Sequence, residues 1–249
     1  MLLSLAVISA FAGVYTPHSV PDPKQWGQEY YVSNPDGILS QATVDSLNRI
    51  ALMLEQYTGD VEMAIVAIGS MRMSEDEEPN TCDIFQFSLE LFNYWGIGKS
   101  SSNKGLLITL VKDARKVFFS TGDNLDVELT DAICYEIQQE FMVPYFREGD
   151  YEQGLLEGTR AVFEYLVNGD IDQLKSSYED VEVEWWEALL ASGILKIFIL
   201  LLFLAAIGLG GSGGGGGGYS SSGRSSYSSS SSGSWGGGRS SGGGAGSSW

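Results

Sequence analysis

Residues 105–131 read GLLITLVKDARKVFFSTGDNLDVELTD, and this stretch decides the fold. Two short apolar runs, residues 105–111 and 116–121, are separated by a tight polar connection at Asp113, which predicts a β-hairpin. A loop follows that is rich in carboxylates, with Asp123, Asp126 and Asp131 close together in the sequence. Loops at strand ends are the usual places for sites on such sheets, so this stretch supplies both the fold and the candidate chemistry.

Strands and helices alternate on both sides of this hairpin. Residues 62–68, EMAIVAI, predict a further buried strand, and residues 30–32 predict a short one. Helical spacing of apolar residues predicts helices over residues 41–57, 84–95, 131–141 and 151–166, three of which follow a capping residue, Ser40, Thr130 or Asp150. Residues 29–168 are therefore predicted to form one α/β domain, a single central β-sheet flanked by helices on both faces.

The first twelve residues, MLLSLAVISAFA, are almost wholly apolar. Residues Ala10-Phe11-Ala12 fit the small-x-small pattern of a secretory cleavage site, so residues 1–12 are interpreted as a signal peptide and residues 13–28 as a linker. No basic residue precedes the apolar run. A buried N-terminal strand or helix remains the alternative.

A second apolar run covers residues 189–209, LLASGILKIFILLLFLAAIGL. About 20 apolar residues suffice to cross a bilayer as a helix, so this run predicts one transmembrane helix. Residues 169–188 form an acidic connector before it. Residues 210–249 are mostly Gly and Ser and are predicted to be a disordered tail. The expected location is the cell membrane, with a single pass, the domain outside the cytoplasm and the tail inside.

Charge narrows the class of partner. All 32 Asp and Glu residues precede Leu189, together with 11 of the 14 Lys and Arg residues. So acidic a body repels nucleic acid, and no nucleic-acid partner is expected. It favours cations or basic partners, although a solvated acidic surface explains the same composition.

Nucleophilic chemistry based on histidine is nearly excluded. The single histidine, His18, lies in the predicted linker, whereas a Ser-His-Asp or Cys-His site needs a histidine within the fold. The two cysteines, Cys82 and Cys134, define no disulfide framework. Separate, partly buried thiols are favoured over a pair.

Three acidic segments follow predicted strands or turns, and we expect them to meet at one edge of the sheet. Their carboxylates are hard oxygen ligands suited to Ca²⁺ or Mg²⁺. Each acid also has a structural explanation, since Asp131 suits a helix N-terminus and Asp113 suits a turn. The candidate metal ligands are Asp36, Asp113, Asp123, Asp126 and Asp131.

Several motifs occur together in an order that resembles the TPM domain, a module of the bacterial cell envelope and of the thylakoid lumen. They are DGILS (36–40), LFNYWGIG (91–98), NKG (103–105), RKV (115–117), TG (121–122), LTDA (129–132) and PYFREGDY (144–151). The resemblance implies a central sheet between helices, and a layout of signal, domain, membrane span and Gly/Ser-rich end.

The resemblance also implies two activities. Members of the family are described as acid phosphatases in photosynthetic organisms and as divalent-cation binders in bacteria, and the matching acids here are Asp36, Asp113 and Asp131. One departure follows the second hairpin strand, where the family usually reads Gly-x-Gly-Leu-Glu-Gly and residues 122–128 read GDNLDVE. We therefore expect a membrane-anchored module that binds Ca²⁺ or Mg²⁺ and serves an envelope protein complex. The alternative is a metal-assisted phosphatase, in which Arg115 is the nearby guanidinium.

Overall fold

The computed structural model describes residues 13–169 and 234–249, which form one compact unit. Two sheets are present in it, a small parallel pair of β1 with β4 and a five-stranded sheet in the order β2-β3-β5-β6-β7. The strands are β1 Val14–Tyr15, β2 Val32–Ser33, β3 Glu62–Ile68, β4 Ser70–Met71, β5 Gly105–Val111, β6 Lys116–Thr121 and β7 Gly243–Ser248.

The hairpin predicted from residues 105–121 is confirmed, because β5 and β6 pair antiparallel from Leu106–Thr121 to Val111–Lys116. β3 pairs parallel with β5 along its whole length, and β2 pairs parallel with β3. Every residue of β3 and β5 is buried. A sheet buried in this way is covered on both faces, as expected for parallel strands joined by helical crossovers.

Five α-helices surround the sheet in the described residues, and the predicted caps begin three of them. The side chains of Ser40, Thr130 and Asp150 each accept a hydrogen bond from a backbone N–H in the first turn of their helix. Helix α5 packs against both α1 and α3, while α2 packs on β5 and β6. The helices are α1 Gln41–Thr58, α2 Ile84–Trp95, α3 Asp131–Phe141, α4 Val143–Glu148 and α5 Tyr151–Asn168.

The prediction of a disordered tail is wrong for residues 234–249. Within them β7 pairs antiparallel with β6, from Thr121–Gly243 to Lys116–Ser248, and so becomes the edge strand of the main sheet. The Gly/Ser composition suggested disorder, but these glycines are positions at which the backbone packs closely against neighbouring residues. A Cβ on Gly244 would collide with the carbonyl oxygen of Phe119, and one on Gly238 would collide with that of Ile97. Because glycine has no side chain, the backbone of this segment can lie directly against the neighbouring backbone.

Other predictions fall outside the described residues: the signal peptide 1–12, the membrane span 189–209, residues 170–188 of the connector and residues 210–233 of the tail. Within residues 13–169 and 234–249, no helix is both long enough and apolar enough to cross a bilayer. Both cysteines are free thiols, as favoured from the sequence, with Cys134 buried in α3 and Cys82 partly exposed.

Candidate functional site

The five candidate aspartates occupy two opposite ends of the main sheet. Asp36 and Asp113 follow the carboxyl ends of β2 and β5, whereas the loop 122–130 leaves β6 beside the amino end of β5. Seven residues of strand separate these ends by about 20 Å. The expectation that all five meet at one edge is therefore wrong, because the antiparallel β6 returns the chain to the other end.

At the carboxyl end, Asp36 and Asp113 accept hydrogen bonds from two adjacent residues, Gly69 and Ser70, at the point where β3 leads into β4. Oδ2 of Asp36 accepts from the Gly69 amide at 2.7 Å, and Oδ2 of Asp113 accepts from the Ser70 hydroxyl at 2.8 Å. Oδ1 of Asp36 accepts two further hydrogen bonds, from the Gly13 amide at 2.6 Å and from the Tyr15 hydroxyl at 3.0 Å. Both oxygens of Asp36 are thus engaged by protein donors.

The phenol of Tyr15 is held protonated by this arrangement. Its partial burial, together with the hydrogen bond to the Asp36 carboxylate, raises the pKa of Tyr15 to about 12. The proton therefore stays on the phenol oxygen and is donated to Asp36 at neutral pH. This end of the sheet is a set of satisfied hydrogen bonds around a carboxylate.

At the opposite end, three aspartates border a cavity of about 550 Å³. Oδ1 of Asp123 accepts from the Ser241 amide at 2.6 Å, and Oδ1 of Asp131 accepts from the Gly244 amide at 2.8 Å. Oδ1 of Asp126 is buried and has no hydrogen-bond partner among the described residues. The cavity is lined by Asp123, Asp126, Thr130, Asp131, Ala132, Ser241, Gly242 and Gly243.

This cavity joins a helix start to the C-terminal segment. Asp131 is the first residue of α3, where a negative charge is favoured by the helix dipole. Asp123 and Asp131 each hold one backbone N–H of residues 241–244, so they position β7 as well as the cavity wall. The sequence analysis identified these acids as a group but did not predict their contact with residues 241–244.

The acids are not arranged as a closed metal cage. Across the described parts of the chain, no three His, Cys, Asp or Glu side chains lie close enough together to hold a metal ion. The unpartnered oxygen of Asp126 still suits a hard cation, since buried carboxylate oxygens without a donor are costly. Thr130 and Ser241 line the same cavity, and residues of this kind carry the oxygen ligands that Ca²⁺ requires.

A second cluster, around Trp235, was not identified from the sequence. The Trp235 ring stacks on Trp95 with centroids 5.9 Å apart, and its indole N–H donates to Oδ1 of Asp22 at 2.9 Å. The ammonium of Lys24 lies 3.5 Å from the centre of the Tyr31 ring and 4.6 Å from that of Trp235. A tryptophan within a Gly/Ser run was the available signal, because burying an indole stabilises a docked segment.

Buried charges lie beside this tryptophan. Oε2 of Glu62 accepts from the Gly98 amide at 2.8 Å and from the Gly236 amide at 3.0 Å. Burial raises the pKa of Glu62, while these two hydrogen bonds and Lys24 act in the other direction. Burial lowers the pKa of Lys24 to about 8. The charged pair is thus part of the contact that holds the C-terminal segment.

The C-terminal segment is also fixed beyond Trp235. The buried Gln138 of α3 donates to the carbonyl oxygen of Ala245 at 2.8 Å and accepts from the Ser247 hydroxyl at 2.7 Å. The ring of Trp249 packs on Phe146 at 4.7 Å and on Tyr151 at 6.2 Å between centroids. Residues 234–249 are therefore a docked strand with a tryptophan contact near each end.

Three side chains suited to nucleophilic or phosphate chemistry, those of Cys134, His18 and Arg115, do not line the acidic cavity. Burial raises the pKa of the Cys134 thiol to about 12, so this sulfur is held as the weakly nucleophilic thiol. His18 lies 3.4 Å from Glu90 with about half of its side chain exposed. Arg115 is exposed in the turn between β5 and β6. That turn is at the end of the sheet opposite to the cavity.

Comparison with known proteins agrees with this fold. The sequence profile of the TPM domain matches residues 32–165. The solution NMR structure of the N-terminal domain of a protein from P. gingivalis is 31% identical to the chain, with a TM-score of 0.54, and covers 63% of this chain and 94% of that one. No match was found among curated proteins. Since the matched profile spans more than half of its residues, the chain belongs to the TPM domain family.

Proposed function

We propose that the protein is a membrane-anchored envelope protein whose TPM domain is a divalent-cation-binding interaction module. The observation that carries the proposal is the cavity bordered by Asp123, Asp126 and Asp131, beside which Oδ1 of Asp126 is buried without a partner among the described residues. Ca²⁺ or Mg²⁺ would compensate the mutual repulsion of these carboxylates. The acidic sequence of the loop, where the family usually has glycines, supports the same role.

The interaction part of the proposal is supported by the neighbouring strand. The edge of β6, the start of α3 and the acidic loop accept one extended Gly/Ser-rich segment through backbone hydrogen bonds. Addition of a strand to a sheet edge is a common mode of peptide recognition. A cation at the cavity would lie against residues 241–243 and so couple its binding to the docking of that strand.

Membrane anchoring and export are supported by the sequence. Residues 1–12 have the pattern of a signal peptide, and residues 189–209 have the length and apolarity of a membrane-inserted segment. An envelope protein complex is the partner class that suits an anchored interaction module. The domain would face away from the cytoplasm.

Thermal unfolding of the full chain in detergent tests cation binding. Ca²⁺ that binds the native state at a hundredfold excess over Kd stabilises it by about 2.7 kcal/mol. We expect a rise in Tm on the order of 5–10 °C in millimolar Ca²⁺ relative to chelator. The double change Asp126→Asn/Asp131→Asn should remove most of this shift.

A matched control separates a site from general charge neutralisation. The double change Asp76→Asn/Glu78→Gln removes two exposed acids from another loop and should leave the shift intact. If neither Ca²⁺ nor Mg²⁺ changes the Tm, or if the cation raises the Tm of the cavity variant equally, these acids have a purely structural role.

A metal-assisted phosphatase is the second candidate. One observation favours it: the carbonyl oxygen of Arg239 accepts from the Asp123 amide at 3.2 Å, which brings the backbone of an arginine to the acidic loop. A phosphate monoester would need a cation to offset the carboxylates. Hydrolysis of a phosphomonoester that depends on added metal, and is lost in Asp126→Asn/Asp131→Asn, would support this candidate over simple cation binding.

A further inference from the structure

We propose that Gly13 is the first residue of the mature protein, and that the α-ammonium group released there forms an ion pair with Asp36. This inference rests on the export of the chain that the proposed function includes. It gives the predicted cleavage a structural consequence and assigns Asp36 a role other than cation binding.

The geometry at Gly13 already suits a charged donor. Its backbone nitrogen lies 2.6 Å from Oδ1 of Asp36, and the Tyr15 hydroxyl lies 3.0 Å from the same oxygen. An amide offers one N–H and no net charge. An α-ammonium at the same place offers three N–H donors and a full positive charge, and charge-assisted hydrogen bonds are roughly twice as strong as neutral ones.

Strand pairing fixes the position of this nitrogen. Residues Val14 and Tyr15 form β1, which pairs parallel with Ser70 and Met71 of β4. The Ser70 amide donates to the carbonyl oxygen of Gly13 at 3.2 Å, and the Arg72 amide donates to that of Tyr15 at 2.9 Å. A chain that began at Gly13 would therefore still be held at Asp36 by its own backbone.

A side chain at this position would displace the Tyr15 ring. The Tyr15 side chain lies against Gly13, and a Cβ on Gly13 would collide with the phenol ring and its oxygen. The ring therefore covers the backbone at Gly13 while its hydroxyl shares the Asp36 oxygen. A terminal ammonium would be placed under this ring beside the carboxylate.

The sequence places a cleavage motif directly before this residue. Ala10 and Ala12 are the small residues that a signal peptidase requires at the third and first positions before its cut. Such an endopeptidase adds water across the Ala12–Gly13 peptide bond. The hydroxyl goes to the Ala12 carbonyl carbon, which becomes a carboxylate, and the Gly13 nitrogen becomes an ammonium. The motif and the Asp36 contact are independent observations that meet at one peptide bond.

The first test is the identity of the mature N-terminus. The full chain, expressed with its own N-terminal residues in a Gram-negative host and purified from the envelope, should begin at Gly13 by N-terminal sequencing and intact mass. A chain that retains residues 1–12, or that begins at another residue, overturns the proposal.

The second test measures the ion pair itself. An amine-acylating reagent modifies only the neutral amine, so the α-amine of the mature full chain should react at neutral pH on the order of tenfold more slowly than in Asp36→Asn. Tyr15→Phe keeps the carboxylate and should retain slow labelling. Equal labelling rates in the mature chain and in Asp36→Asn, with both folded by circular dichroism, overturn the proposal.

A chain that begins one residue earlier, at Ala12, provides the matched control. Its amine is displaced by about 3.5 Å along the chain, so its labelling rate should be the same with or without the Asp36→Asn change. The chain that begins at Gly13 should also melt higher than this control, and Asp36→Asn should cancel the difference. The cavity variant Asp126→Asn/Asp131→Asn should leave these rates unchanged, so failure of cation binding and failure of this proposal give different results.

Discussion

Lys24 lies in an environment that differs greatly from that of a free lysine side chain. It is almost fully buried, its ammonium donates to the carbonyl oxygen of Gln28, and two aromatic rings cover it. The tertiary contact with Trp235 joins positions more than 200 residues apart, and no local pattern around Lys24 indicates it. A buried lysine was therefore beyond prediction from sequence.

The lowered pKa of Lys24, about 8, gives a test of this environment. Below pH 8 the folded and unfolded states both hold the proton, so the contribution of Lys24 to stability is constant. Between pH 8 and about 10 the unfolded state binds the proton and the folded state releases it, so this contribution rises with pH. The difference in unfolding free energy between the native chain and Lys24→Met should change in favour of the native chain, by at most about 1.4 kcal/mol per pH unit.

Urea unfolding at pH 7, 8, 9 and 10 measures this difference. Comparison with Lys24→Met cancels the titration of those tyrosines and cysteines that do not contact Lys24. If the difference in unfolding free energy is constant from pH 8 to pH 10, the ammonium is solvated in the folded state. Lys24 would then not be buried against Trp235.

The longer helices and strands of residues 29–168 could be predicted because their signals are local, whereas the short β4 and α4 were not predicted. Capping residues, apolar periodicity and β-branched runs are each contained within one element, as at Ser40 for α1 and residues 105–111 for β5. The strand β7 could not be predicted in this way. Its sequence, GGAGSS, has no apolar periodicity. The strand forms because its glycines can approach the carbonyl groups of β6 closely, and this contact is not visible in the local sequence.

Gly244 tests the docking of β7. Its φ of +127° is unfavourable for any residue with a side chain, and a Cβ would collide with Phe119. Gly244→Ala should therefore destabilise the docked segment by about 1–3 kcal/mol and lower the Tm of the full chain by several degrees. Truncation after residue 233 should lower it further, because the edge of β6 and the ring of Trp95 lose their cover.

Hydrogen exchange of the backbone amides distinguishes the undocking of β7 from a loss of stability of the whole domain. In Gly244→Ala, the amides of residues 243–248 should lose their protection from hydrogen exchange while those of β3 keep theirs. Ser248→Ala, at an exposed position of the same strand, should leave exchange and Tm unchanged. A truncated chain with the native Tm would restore the interpretation of the whole tail as disordered.

Across the whole molecule, the direction of β6 decides how the candidate site is divided. The predicted hairpin itself implies that the loops after β5 and β6 lie at opposite ends, since antiparallel strands reverse the chain. The division of the acids between two ends could thus have been predicted from the hairpin, whereas the contact of the acidic loop with residues 241–244 could not. Asp123, Asp126 and Asp131 share a cavity with residues 241–243, whereas Asp36 and Asp113 meet the link between β3 and β4.

The pairing of β7 with β6 also bears on the topology of the chain in a membrane. One transmembrane crossing at residues 189–209 would place residues 13–169 and 234–249 on opposite sides, as a single-pass topology predicts. Strands that pair from Lys116–Ser248 to Thr121–Gly243 within one molecule have to share one side. We therefore expect residues 189–209 to anchor the chain without separating its C-terminal end from the domain.

A disulfide between the two strands tests this expectation in intact membranes. Directly opposed residues of an antiparallel pair lie at Cα distances of about 4.5–5.5 Å, within the range of a disulfide. The full chain with Lys116→Cys/Ser248→Cys, and with Cys82 and Cys134 replaced by serine and alanine, should form an intramolecular disulfide on mild oxidation. The pair Ser46→Cys/Ser248→Cys is the control, because Ser46 lies on α1, which packs on β3 and α5. Absence of a crosslink in folded protein, together with a C-terminus that only permeabilised cells expose to a thiol reagent, would establish the single pass and show that β7 does not pair with β6 in the membrane-inserted chain.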